Sequence, residues 1–234
     1  MTTMLRAEGL SKQFLLHTQN SVSLPVFAQV DFTVKKGEAV ILHGASGVGK
    51  STLLRILYGN YRPSAGHVHV LHGSQFVDIV TATPRRVLEV RRRTLSFVSQ
   101  FLRVVPRVPT VDVVAEPLLT LGVPVAEARG RAMALLAQLN IPERLWSLSP
   151  TTFSGGEQQR VNIARGSVHP YPALLLDEPT ASLDAVNREV VLSLIEGAKA
   201  RGAAIIGIFH DEQARARLCD RLVDVTQFTP KAVQ

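Results

Sequence analysis

With 234 residues, of which 46% are hydrophobic, the chain is long enough for one sizeable core and too apolar for a disordered one. A single cysteine, Cys219, excludes an internal disulfide framework and makes the cytoplasm the expected compartment. The net charge of +7 suits an anionic partner without choosing one, while the lack of an apolar run of roughly 18 residues or of a signal-like N-terminus argues against membrane insertion and export.

In chain order, Leu5–Phe14 (LRAEGLSKQF) and Val26–Val34 (VFAQVDFTV) alternate apolar with polar residues and read as strands of an antiparallel sheet. The segment between them, Leu15–Pro25, reads as a loop. Ala39–Leu42 is a short apolar strand that passes through glycines into a helix at Ser51–Gly59. Gly66–Gly73 resumes alternation. The segment after it, TPRRVLEVRRR, reads as a helix carrying Arg85, Arg86, Arg91, Arg92 and Arg93, and LSFVS ending at Ser99 reads as a strand. A solvated face is the preferred reading of those arginines, ahead of a protein-docking surface and of nucleic acid, and the absence of interleaved aromatics lowers the single-strand stacking option further.

From Val111 to Pro150 the chain is rich in Ala and Leu at helical spacing, punctuated by Pro117, Pro124 and Pro142, and reads as a helical insertion. A helix from Gly155, an apolar strand ALLLD, a helix over Asn187–Ala200 and an apolar strand AAIIGIF follow. Strands that are apolar on both faces and alternate with helices predict a mostly parallel sheet covered on both sides, an α/β fold.

Three stretches carry chemistry. In Gly44-Ala45-Ser46-Gly47-Val48-Gly49-Lys50-Ser51-Thr52, the glycines let successive backbone N–H groups point at phosphate oxygens, Lys50 can bridge the β and γ phosphates, and Ser51 can ligate Mg²⁺. Strand–loop–helix context makes this a P-loop. The second stretch, ALLLDEP, places Asp177 and Glu178 at the carboxyl edge of a strand, where open α/β sheets bind ligands. There Asp177 suits Mg²⁺ and Glu178 can polarise an attacking water. In the third, Ser154 and Glu157 have capping-box spacing, and Gly155 and Gly156 leave backbone donors open at a helix N-terminus, which implies a second anion site.

The third stretch, FSGGE at Phe153–Glu157, resembles the signature sequence of ABC ATPases, and the other motifs occur in that family's order across nearly the whole chain. The resemblance implies an ATP-hydrolysing P-loop domain spanning residues 1–234. Residues 1–100 and 161–234 would form the core and an antiparallel β subdomain, and residues 101–160 an α-helical subdomain ending in the signature. It further implies a head-to-tail dimer, homodimeric or with a sister ABC-type subunit, in which each ATP lies between one phosphate loop and the partner's signature helix. On the same basis Gln100 matches the glutamine that senses Mg²⁺ and the attacking water, His210 the γ-phosphate switch histidine, and Asp184 the loop reaching the opposite site. Phe14 matches the adenine-stacking aromatic, commonly Tyr. Among the remaining residues, His67 and His69 share a strand face, but no carboxylate or thiol pair is expected beside them, which disfavours a metal site. Cys219 reads as a packed thiol.

The family's motion is usually handed to a partner, here through Gln100–Leu119, which Arg103 and Arg107 make unusually basic. The strings LRILYGNYRPSAGHV, SQFLRVVPRV, IPERLWSLSPTTFSGGEQQRVNIARG, LLLDEPTASLDA and GAAIIGIFHDE together resemble the ABC-type L subunits of bacterial carbon-phosphorus lyase systems. That resemblance implies work with a soluble lyase core, in the formation of α-D-ribose 1-methylphosphonate 5-triphosphate. The alternative is the ATPase subunit of a lipoprotein-release or macrolide-export transporter. Neither reading involves nucleic acid, and a DNA-repair ATPase is disfavoured because no long coiled-coil insertion is present.

Overall fold

The computed structural model describes residues 2–16 and 22–230. Strands β1 (Thr3–Leu16) and β2 (Val22–Lys35) pair antiparallel and run further than the alternation suggests, with Leu15 opposite Ser23 and Gln13 opposite Pro25. Of the expected loop, residues 15–16 and 22–25 thus belong to strands, and residues 17–21 lie outside the described residues. Pro25 is admissible because β2 is the edge of its sheet and the register shifts beside it. β4 (Ala65–His72) and the short β5 (Gln75–Asp78) complete this sheet in the order β2-β1-β4-β5. On its face His67 Nδ1 lies 2.8 Å from Asp78 and His69 Nε2 lies 3.3 Å from Glu8. Carboxylates do accompany these histidines, contrary to the expectation, but one to each; among the described residues no three potential metal ligands converge.

The second sheet contains β3 (Ala39–His43), β6 (Leu95–Val98), β7 (Ala173–Asp177), β8 (Ala204–Ile208) and β9 (Arg221–Asp224). Their order is β6-β7-β8-β3-β9, and every neighbouring pair is parallel. β3, β7 and β8 are almost wholly buried because both faces are covered, which explains their unbroken apolar sequences. Alternate residues serve different cores. Val40, Leu42, Leu175 and Ile206 join α1 (Lys50–Leu57) and the antiparallel sheet in one cluster. Ile41, Leu174, Leu176 and Ile205 join the other, with α5 (Gly155–Ser167), α6 (Ala185–Ala200) and the helical insertion. Each such side chain contributes about 1.5–3 kcal/mol by leaving water.

Between β5 and β6 lies α2 (Pro84–Arg93), with Thr83 as N-cap and Pro84 in the first turn. Only Val90 of this helix is buried, so its arginine-rich faces stay outside the core. The insertion contains α3 (Thr110–Thr120) and α4 (Val125–Gln138). Pro117 sits inside α3 and does not end it. Burial of Val113, Val114, Ala115 and Leu118 against the neighbouring helices outweighs the hydrogen bond that the proline cannot make. Among the described residues no helix is long and apolar enough to cross a membrane. α7 (Glu212–Leu218) follows β8, with Asp211 as its N-cap.

Candidate nucleotide site

Strand order, not chain order, assembles the site. The phosphate loop follows β3, His210 lies just beyond β8, Asp177 and Glu178 end β7, and Gln100 follows β6. In space these strands run β6-β7-β8-β3, so their carboxyl ends bring residues from position 44 to position 210 to a single edge.

At the loop, Gly49 is the N-cap of α1 with φ 101°, a left-handed conformation. A Cβ there would lie 2.5 Å from Val26 Cγ1, so both the turn and the approach of β2 require glycine. Lys50 is buried, and its ammonium donates to the carbonyl oxygens of Gly44 at 2.7 Å and Ala45 at 2.8 Å. This arching over the loop leaves one of its three N–H groups for a phosphate oxygen. Ala45, Ser46 and Gly47 are exposed at the loop's crest, Val48 is half-buried, and Thr52 lies in the first turn of α1. The helix directs its positive end at this loop.

Ser51 Oγ donates to Asp177 Oδ1 at 2.9 Å. The other carboxylate oxygen, Asp177 Oδ2, is buried without a hydrogen-bond partner. Burial raises the Asp177 pKa above the ordinary carboxylate range; the Ser51 hydrogen bond opposes this and the neighbouring Glu178 charge adds to it. A buried carboxylate oxygen with no donor, beside a serine hydroxyl at a phosphate loop, fits a hard divalent cation such as Mg²⁺.

Glu178 adopts φ 53°, a left-handed conformation that costs a non-glycine residue about 1 kcal/mol or more. Its carboxylate is held on both sides: Gln100 Nε2 donates to Oε2 at 3.2 Å, and His210 Nε2 lies 2.8 Å from Oε1. The structure thus brings together Lys50, Ser51, Gln100, Asp177, Glu178 and His210. Phe14, on β1, pairs with Leu24 of β2, two residues from the Val26 that packs on Gly49, so it lies one strand away from the loop's β2 flank. Its ring takes Tyr61 edge-on at a centroid distance of 6.0 Å, and Lys12 Nζ lies 4.7 Å from its centre.

Ser154–Glu157 is not part of this group. No hydrogen bond among the described residues joins it to the phosphate loop. Its capping box is formed: Ser154 N–H donates to Glu157 Oε2 at 2.9 Å, and Glu157 N–H to Ser154 Oγ at 3.4 Å, a cap typically worth about 1 kcal/mol. The Ser154 hydroxyl, which donates to Glu157 Oε2 at 2.7 Å, and then the Ser154 N–H hold the Glu157 carboxyl below its usual range. Gly155 is exposed with open space where a Cβ would stand, whereas a Cβ on Gly156 would approach Ser182 O to 2.8 Å. The loop ending at Asp184 therefore packs against the start of α5. Asp184 itself is the N-cap of α6, with its two carboxylate oxygens accepting from Asn187 N–H and Nδ2.

Two residues not anticipated from the sequence tie these parts together. Buried Asn162 on α5 donates to the carbonyl of Ser99, next to Gln100, at 2.6 Å. Arg160 donates to the carbonyls of Leu139 and Asn140 and to Asn187 Oδ1. A polar residue between Val161 and Ile163 on a buried helix face is the sequence signal that could have marked Asn162. Replacing Asn162 with Ala should leave the Ser99 carbonyl unpaired and destabilise the fold by about 1–3 kcal/mol, measurable as a lower urea midpoint at unchanged slope.

A sequence profile described as "ABC transporter" matches residues 27–181, which include the phosphate loop, Gln100, the α5 N-terminus and Glu178. The lipoprotein-releasing system ATP-binding protein LolD of Xanthomonas oryzae pv. oryzae is 35% identical over 227 residues, covering 97% of this chain and 89% of that protein. The macrolide export ATP-binding/permease protein MacB of Brucella melitensis is also 35% identical, over 95% of this chain but only 33% of its own length. Among solved structures, the dimeric post-hydrolysis state of the ATP-binding cassette MJ0796 bound to ADP and Pi aligns with TM-score 0.85 and 25% identity over 95% of each chain. With the profile covering more than half its length and a relative of this identity over nearly all of it, the chain belongs to the ABC transporter family of ATP-binding proteins.

Proposed function

We propose that this chain is the motor subunit of a larger assembly, hydrolysing ATP at two composite sites of a head-to-tail dimer. The convergence of Gln100 and His210 on Glu178, beside the Ser51–Asp177 pair, carries the reading. Backbone N–H groups of Gly44–Thr52 and the Lys50 ammonium hold the phosphates, and Phe14 stacks on adenine. Glu178 takes a proton from water as the water oxygen bonds to the γ phosphorus and the bond to the β–γ bridging oxygen breaks, releasing ADP. His210 and Gln100 fix the carboxylate's orientation, His210 meeting the γ phosphate and Gln100 the attacking water. Ser51, Asp177 and Gln100 would hold Mg²⁺, which neutralises phosphate charge when bound. Ser154–Glu157 of one chain covers the γ phosphate on the other, with Asp184 beside it. Asp177→Asn should raise the Mg²⁺ concentration for half-maximal phosphate release by about tenfold or more; an unchanged Mg²⁺ titration would remove Asp177 from the metal site.

For the partner, we propose the soluble carbon-phosphorus lyase core with a sister ABC-type subunit, contributing to formation of α-D-ribose 1-methylphosphonate 5-triphosphate. The support is the set of matching strings, spread from Leu54 to Glu212. Every group placed above serves phosphate hydrolysis, so the ribose chemistry falls to the partners. The relatives favour the second reading, an ATPase driving a membrane permease, because their names are those of lipoprotein-release and macrolide-export proteins. The identity to both is the same 35%, so it does not single out either export system. Purification of the tagged chain with ATP from cells using a phosphonate as phosphorus source separates the two. Soluble lyase subunits are expected, and permeases without them would replace this reading with transport.

A further inference from the structure

Little holds the His210 ring itself. Its side chain is 61% exposed, and its one hydrogen-bond partner among the described residues is Glu178. The place of the ring is therefore set by the backbone on either side of it. Before it lies the buried strand β8. After it comes Asp211, whose two carboxylate oxygens have different partners: Oδ1 accepts from the Ala214 N–H at 2.9 Å as the cap of α7, and Oδ2 pairs with Arg188 Nη1 at 2.6 Å. Arg188 belongs to the first turn of α6, where its backbone N–H donates to the Asp184 carbonyl and Nη2 donates to the Leu183 carbonyl at 3.4 Å. Its guanidinium thus spans from the loop ending at Asp184 to the residue beside His210. Nε of the same group is buried without a partner among the described residues, a costly arrangement that the contact with Asp211 offsets.

We propose that Arg188 is a positioning residue for His210: by fixing the Asp211 carboxylate it holds the histidine ring against Glu178, where the ring meets the γ phosphate. This role rests on the proposed ATP hydrolysis and deepens it. Consecutive Cα atoms stand a fixed distance apart, so any displacement of Asp211 carries the base of His210 with it. The two side chains of the pair are only 31% and 21% exposed, and a partly buried pair is screened much less than one in open solvent. Docking of α7 does not depend on this contact. Ala214 and Leu218 are buried beneath the helix, and at its far end Arg217 donates to Glu189, Ser193 and Glu196 of α6. Two independent ties therefore join α6 to α7, and the one made by Arg188 is the one at the histidine.

The test uses the full-length chain. Asp211→Asn keeps an amide oxygen for the Ala214 N–H, and asparagine caps a helix as well as aspartate does, so this change removes the charge and leaves the cap. Arg188→Ala and Asp211→Asn should each lower kcat for ATP hydrolysis by about tenfold or more at little changed KM, the pattern of an interaction that matters at the transition state. The double variant should be no slower than the slower single one, because both changes remove the same interaction. Arg188→Lys keeps a cation and should recover part of the rate. Arg217→Gln, which loosens the far end of α7, should lower the urea midpoint and leave kcat unchanged. In a proton–nitrogen spectrum of the histidine rings, His210 is identified as the signal lost in His210→Gln. That signal should shift in Arg188→Ala and stay in place in Arg217→Gln. Wild-type kcat in Arg188→Ala, an equal loss in Arg217→Gln, additive losses in the double variant, or an unmoved ring signal overturns the role given to Arg188. The ring signal is read without ATP. If the wild type itself fails to hydrolyse ATP, the motor reading falls, while a shifted ring signal still places Arg188 behind His210.

Discussion

Replacing Glu178 with Gln should lower the rate of phosphate release by about 10²–10⁴-fold while ATP still binds and the dimer that contains it becomes long-lived. The amide keeps the shape and can still meet His210 and Gln100, which lie 2.8 and 3.2 Å from the carboxylate oxygens, but it has no lone pair basic enough to take the water's proton. The phosphate donors at Lys50 and along the loop are untouched by the change. Size-exclusion chromatography with ATP should therefore show a dimer for Glu178→Gln under conditions where the wild type returns to monomer, and a phosphate assay should show little turnover. Rapid hydrolysis by the variant would remove Glu178 from the role of base and turn attention to His210. The positive φ of Glu178 makes a second substitution informative. Glu178→Gly relieves the backbone while also deleting the base, so a more stable yet inactive protein would show that the strain serves chemistry and not folding.

The parts of the site that were legible in the sequence are those whose function depends on local chain geometry. The phosphate loop needs glycine at Gly49 and a following helix, and the capping box needs Ser154 and Glu157 three apart; both constraints act within ten residues, so both leave a mark in the string. The core strands were legible for a similar reason, since burial on two faces demands unbroken apolar runs such as Ala173–Leu176. What was not legible depends on contacts between distant segments. β9 escaped notice because only Val223 of its four residues is buried, and β5 because four residues show too little alternation. Nothing in the string shows whether Pro117 interrupts a helix, since proline disfavours helix locally, whereas packing of α3 on its neighbours decides the matter. Asn162 and Arg160 carry no motif of their own: their partners at Ser99 and Leu139 become neighbours only once the insertion has docked on the core. Gln100 and His210 are intermediate. Isolated, they say nothing; their meaning comes from the strand order that brings both to Glu178.

A second large effect is expected from the dimer. Lys50→Ala removes the ammonium that arches over the loop and should weaken ATP binding, costing hydrolysis about 10²-fold or more; equal ATP affinity in variant and wild type would remove Lys50 from the phosphate ligands. Gly155→Asp places a carboxylate at the exposed N-terminus of α5, where nothing lies within 4 Å of the new Cβ, so the fold should survive while the γ phosphate is repelled. Each variant alone spoils both sites of its homodimer. In a head-to-tail dimer the two lesions of a mixed pair fall on the same site, because the phosphate loop of one chain faces the α5 N-terminus of the other. The second site then has an intact loop and an intact cap. Mixing the two inactive proteins in equal amounts should therefore restore about a quarter of the wild-type sites, if the chains pair at random. A single chain carrying both substitutions, mixed with wild type, should restore nothing in the mixed pair, since each of its sites then has one lesion. If the two variants fail to complement although heterodimers form, each ATP is served by its own chain alone, and the lack of any hydrogen bond between the phosphate loop and Ser154–Glu157 among the described residues would need another explanation.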